Sequence, residues 1–182
     1  MPTPTHSMAL PDHNATAGRR QWLTAVAILA VAPLTGCGFQ LRGAQELKFR
    51  SVQLTGFKPH SPLEKELRRA INASKTTLVV DSGGEAQVIL EAVSDRRERN
   101  VVATTSAGQV RQISLRVRFT FKLRTPSDRD LIGSTELLLG RDISYNESDA
   151  LAKEQEEALL YREMQTDIVS QIMRRLAAVP AL

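Results

Sequence analysis

Within residues 109–124, apolar and polar positions alternate without a break over the twelve residues from Ile113 to Arg124. Ile113, Leu115, Val117, Phe119, Phe121 and Leu123 take turns with Ser114, Arg116, Arg118, Thr120, Lys122 and Arg124. A period of two over that length predicts a half-buried strand with its apolar side inward. Looser patterns predict strands over 48–55, carried by Val52 and Leu54, over 86–104, and over 132–145, with Leu137, Leu139, Ile143 and Tyr145 on one face. Residues 106–109 (Ser-Ala-Gly-Gln) and 126–130 (Pro-Ser-Asp-Arg-Asp) have the composition of the turns that join such strands. Thr76-Thr77-Leu78-Val79-Val80 reads as a short strand or an extended link.

Two segments carry the helical period instead. Ser61, Pro62 and Glu64 have the spacing of an N-cap, a first-turn proline and a capping box. Leu63, Leu67, Ala70 and Ile71 then recur on one face. From about 149 to 178, Tyr161, Met164, Ile168, Ile172 and Leu176 step by three or four. Acidic residues crowd the first half of that segment, and Arg174-Arg175 the last turn, in keeping with the helix dipole. Glu154-Gln155-Glu156-Glu157 reads as the solvated start of the helix. The order strand, helix, strands, long helix predicts an α+β domain with both helices on one side of a mixed sheet.

The amino-terminal residues follow neither period. A polar stretch ending in Arg19-Arg20 precedes an uncharged apolar run over 22–34. That run is shorter than the roughly 20 residues a membrane-spanning helix needs, and Pro33, Gly36 and Gly38 interrupt any continuation. A positive region followed by a short apolar one predicts a secretory signal peptide. It ends Leu34-Thr35-Gly36-Cys37, which resembles a bacterial lipobox. Cys37 is the single cysteine of the 182-residue chain, so it has no disulfide partner within it. The expected organisation is a signal peptide over 1–36, a tether over 37–47 with diacylglycerol and an N-acyl chain on Cys37, and a folded domain over 48–178. Several acyl chains anchor far better than one, since each buried methylene contributes about 0.8 kcal/mol. Gly38 after the cysteine fits export to the outer membrane.

Charge changes the picture only locally. The chain as a whole carries +4. Arg96, Arg97, Arg99, Arg111, Arg116, Arg118, Lys122 and Arg124 face one acid of the same stretch, Glu98, and Arg116, Arg118, Lys122 and Arg124 share one strand face. Such a face attracts phosphate-bearing partners, or it is a solvated outer face with protective charges; both readings stand. No aromatics interleave these charges as stacking platforms, so nucleic acid is not expected. After the leader the one histidine is His60, and no His/Cys/Asp cluster has metal-ligand spacing. Catalysis and a cofactor are therefore not expected.

Cys37-Gly38-Phe39-Gln40-Leu41-Arg42-Gly43, Ala150-Leu151-Ala152-Lys153-Glu154 followed by Glu156-Glu157, and Arg174-Arg175-Leu176 together resemble the LPS-assembly lipoprotein LptE family. The resemblance implies two helices on a four-stranded mixed sheet. It also implies a non-enzymatic role as plug and assembly partner of the outer-membrane β-barrel LptD, delivering lipopolysaccharide while anchored on the periplasmic side of the outer membrane. Lys153 takes the place of one lipopolysaccharide-contacting lysine of the family; a solvated lysine at the helix start is the other reading. The family's contacting arginine in the hairpin tip falls on Ser106 here, which leaves Arg99 or Arg111, flanking the tip, to replace it; Arg116 and Arg118 complete the candidate set. The alternative class is an auxiliary lipoprotein of a lipid-transport ABC system.

Overall fold

The structure, a computed structural model, describes residues 45–181. Five strands form one sheet in the order β2-β1-β3-β4-β5: β1 Ser51–Thr55, β2 Leu78–Val80, β3 Val88–Thr104, β4 Val110–Arg124 and β5 Asp130–Ser144. Helix α1, Pro62–Asn72, crosses from β1 to β2, and helix α2, Ala150–Ala178, closes the chain. β1 runs parallel to both neighbours, whereas β3, β4 and β5 form an antiparallel meander. The mixed sheet and the two helices agree with the expectation, but the sheet has five strands rather than four.

The extra strand is the segment that carried two readings. β2 is three residues long, with Leu78 largely exposed, so it has no alternation to reveal it. It is held by backbone and capping bonds instead. Leu78 N donates to the Arg50 carbonyl at 2.9 Å, and Val79 N to Asn72 Oδ1 at 3.1 Å.

Helix α1 starts where its cap predicts: Glu64 N donates to Ser61 Oγ at 3.3 Å. The reciprocal half of the capping box is not made. Ser61 N donates to the Lys58 carbonyl at 3.1 Å, which leaves the Glu64 carboxylate to pair with Arg68 at 3.3 Å.

The long strands bend at bulges. Val93 and Val102 are extra residues in β3, and Arg111 is the extra residue in β4 between the Ala103–Gln112 and Thr104–Val110 pairs. Gly56 marks a close approach at the end of β1. Its φ is 77°, and a Cβ there would lie 2.2 Å from the Ala92 carbonyl oxygen, beside the first of these bulges.

One core joins the inward face of the sheet to both helices. Phe119, Phe121, Leu115 and Leu123 from β4 meet Leu67 and Ile71 of α1 and Met164, Ile168, Ile172 and Leu176 of α2, all fully buried. Leu47, the last residue of the expected tether, is buried with them. Burying each such side chain contributes roughly 2–3 kcal/mol. The registers place β1, β2 and the turn after β4 at one end of the molecule. The β3–β4 tip and the start of α2 lie at the other, roughly 50 Å away along the 15 residues of β4 at about 3.3 Å per strand residue.

Candidate functional site

Strand alternation divides the basic run between two faces. Arg116, Arg118, Lys122 and Arg124 share the face away from the helices, as their alternation with buried Leu115, Val117, Phe121 and Leu123 requires. That face is an ion-pair ladder. Arg118 bonds Glu136 of β5 at 2.9 Å and lies 3.8 Å from Glu98 of β3. Lys122 and Arg124 share Glu91 at 3.3 and 3.5 Å, and Arg124 also reaches Asp128 in the turn at 3.3 Å. The hydrogen bond to Glu136 pushes the Arg118 guanidinium further above its ordinary range. Three of these carboxylates come from outside the basic run or from its turn: Glu91 precedes it, and Asp128 and Glu136 follow it. Solvent screens pairs this exposed, so the ladder adds little to stability. Arg116 is exposed, opposite Glu98 and Gly140 in register, and joins no ion pair among the described residues.

Arg97 and Arg99 point to the helix side. The Arg97 guanidinium lies 5.4 Å over the Tyr161 ring and donates from Nη2 to Gln165 Oε1 at 2.9 Å. Arg99 Nε donates to both Glu157 oxygens, and its guanidinium lies 5.9 Å from the Tyr145 ring. Tyr161 Oη donates to the Glu98 carbonyl at 2.8 Å. Burial first, and the Glu157 charge second, push the Tyr161 hydroxyl above the ordinary phenol range.

Helix α2 explains this arrangement. Its fully buried residues begin only at Met164, yet the inward stripe continues back through Tyr161, Glu157 and Lys153. Glu157 is therefore not part of a solvated helix start: its side chain is 14% exposed and faces the sheet. Lys153 is 19% exposed and donates to Glu156 Oε2 at 2.8 Å.

The candidate residues thus fall into two groups. Lys153, Arg99 and Arg111 gather at the end formed by the hairpin tip and the start of α2. Tyr145 ties the two arginines together, since its N–H donates to the Arg111 carbonyl at 2.8 Å and its ring lies beside Arg99. Arg111 is exposed and sits in a bulge, which re-aims its side chain. Arg116 and Arg118 lie on the opposite sheet face. Ser106 is in the tip, a turn closed by Gly108 N to the Thr105 carbonyl at 3.0 Å. Cys37 and residues 1–44 lie outside the described residues. Gln165 and Tyr161 did not stand out as polar partners of the sheet because both sit on the helix's core stripe, where a helical period reads only as packing. Among the described residues, no cluster of His, Cys, Asp and Glu could hold a metal, and no helix is long and apolar enough to cross a membrane.

The family described as "LptE: Lipopolysaccharide-assembly" matches residues 49–176. The chain is 26% identical over 166 residues to the LPS-assembly lipoprotein LptE of Photorhabdus laumondii, covering 88% of each chain. It is 24% identical over 163 residues to that of Pectobacterium atrosepticum, again covering 88% of each. Among solved structures it resembles an uncharacterized lipoprotein B of Nitrosomonas europaea, with TM-score 0.65, 31% identity and coverage of 78% of this chain and 91% of that one. The rare lipoprotein B of Shewanella oneidensis shares the fold, with TM-score 0.61, 21% identity and coverage of 71% and 95%. Because the matched segment runs from the residues just ahead of β1 to the last turns of α2, it takes in every element that builds the core and both candidate faces, and the chain belongs to the LptE lipopolysaccharide-assembly family.

Proposed function

We propose that this protein is the lipoprotein partner and plug of the outer-membrane β-barrel LptD, and that it acts without catalysis in lipopolysaccharide assembly at the outer-membrane surface. The family match over 49–176 carries the reading. The solvated ion-pair ladder supports it, because a plug in a water-filled barrel needs a polar exterior with satisfied charges. Cys37, with diacylglycerol and an N-acyl chain, is its anchor on the periplasmic side of the outer membrane. Lys153, Arg99 and Arg111 are the residues to meet lipid A phosphates, since they collect at one end. Arg116, free of any ion pair among the described residues, and the partnered Arg118 would meet the barrel wall.

The test is a pull-down of the full chain, tagged at its C-terminus, from detergent-solubilised outer membranes, with mass spectrometry of what it retains. A single large β-barrel at one-to-one is expected. Recovery with inner-membrane transporter subunits, or alone, overturns the plug reading.

A further inference from the structure

Between α1 and α2 the surface opens into a groove of about 500 Å³. Three elements supply its cations: Lys65 and Arg69 from α1, Arg97 from β3 and Arg162 from α2. None of the four takes part in an ion pair among the described residues. This is the reverse of the outer sheet face, where Arg118, Lys122 and Arg124 each meet a carboxylate. The groove holds one carboxylate, Glu66, which accepts from Gln165 Nε2 at 2.6 Å and from Thr166 Oγ1 at 2.7 Å, so four cations face one anionic group there. An excess of positive over negative charge in one groove raises the local potential and favours an anion.

Two of the guanidiniums are pre-positioned. Arg97 is fixed by Gln165, which is 8% exposed, and by the Tyr161 ring, so its remaining N–H groups are free to donate. Arg69 Nε donates to the Lys65 carbonyl at 3.4 Å, leaving both Nη groups. Ordering these forks in advance lowers the entropy lost on binding.

We infer that this groove binds a phosphate group carried on a molecule of headgroup size. A carboxylate has two oxygens and satisfies one guanidinium fork side-on. A phosphate monoester presents three terminal oxygens and up to two charges, which suits three forks and an ammonium. The inference stands on the groove alone and does not depend on the plug reading.

The full chain in neutral detergent is titrated with inorganic phosphate, and separately with glycerol 3-phosphate, while backbone amide shifts are followed by NMR. Chloride at matched ionic strength is the blank. Saturable shifts confined to 62–69, to Arg97 and its neighbours, and to 162–166 are expected, with binding weakened about tenfold or more in the Arg69→Gln, Arg162→Gln double variant, the loss that follows from removing charged hydrogen bonds. Both positions are exposed, and an unchanged unfolding midpoint shows that the variant keeps its fold. Tighter binding of glycerol 3-phosphate than of phosphate supports a lipid headgroup as the source; equal binding supports a free phosphate. No saturable shift, equal binding by the double variant, or shifts with an oligo-aspartate peptide but not with either phosphate overturns the inference.

Discussion

Arg99 Nε donates to both carboxylate oxygens of Glu157, at 3.1 and 3.2 Å, and this contact carries the first half of α2 onto the sheet. No residue of α2 before Met164 is fully buried, so the long helix is held there by polar contacts and half-buried rings. Arg99 is 47% exposed, which screens the pair. Glu157→Gln is therefore expected to cost less than about 1 kcal/mol in denaturant unfolding. Its larger effect is local: amide exchange should quicken over 150–160 and stay unchanged over 164–176. Uniform exchange along α2 would show that the contact holds nothing.

Tyr161 makes stability depend on alkaline pH. Its hydroxyl titrates above the ordinary phenol value in the fold, because burial and Glu157 disfavour the phenolate. A raised folded value means that the native state holds its proton more tightly than the unfolded chain does. The stabilisation is complete below the unfolded phenol value, about 10, and is lost as pH rises through the folded value. Tyr161→Phe should lose about 1 kcal/mol at neutral pH with the 2.8 Å bond to the Glu98 carbonyl, and should show a shallower fall in stability above pH of about 10. Denaturant midpoints for both proteins across neutral and alkaline pH check this.

Gly56 and Gly133 should differ sharply under substitution. At Gly56 the φ of 77° and a Cβ 2.2 Å from the Ala92 oxygen force either backbone strain or separation of β1 from β3. Gly56→Ala is expected to cost about 3 kcal/mol or more. At Gly133 an added methyl group would meet nothing within 4 Å, and Gly133→Ala should stay within about 0.5 kcal/mol. Thermal unfolding of the pair gives the comparison.

Gln165 is a buried polar link between three elements, donating to Glu66 of α1 and accepting from Arg97 of β3. Gln165→Met keeps the volume but leaves both partners short of a bond. A loss of about 1–3 kcal/mol is expected from equilibrium unfolding. A neutral result would show that water replaces the amide on both sides.

What the chain's own order of residues determined is the set of elements and which side of each goes inward. Alternation placed β4 to within a residue of its ends, the Ser61 cap placed the start of α1, and the apolar step from Tyr161 to Leu176 placed the inward stripe of α2. These are local effects, set by backbone periodicity and nearest neighbours. β2 was beyond that reach, because a three-residue strand exists only by pairing with β1. So was the state of the charges. The basic run looked like an exposed cationic face, but alternation sent Arg97 and Arg99 to the helices, and strand pairing brought Glu91 and Glu136 to Arg118, Lys122 and Arg124. Lys65, Arg69, Arg97 and Arg162, none in an ion pair among the described residues, meet in one groove although they come from three separate elements. Coulomb energy depends on distance in space rather than along the chain, so only the packed structure could decide which charges are neutralised and which remain to bind.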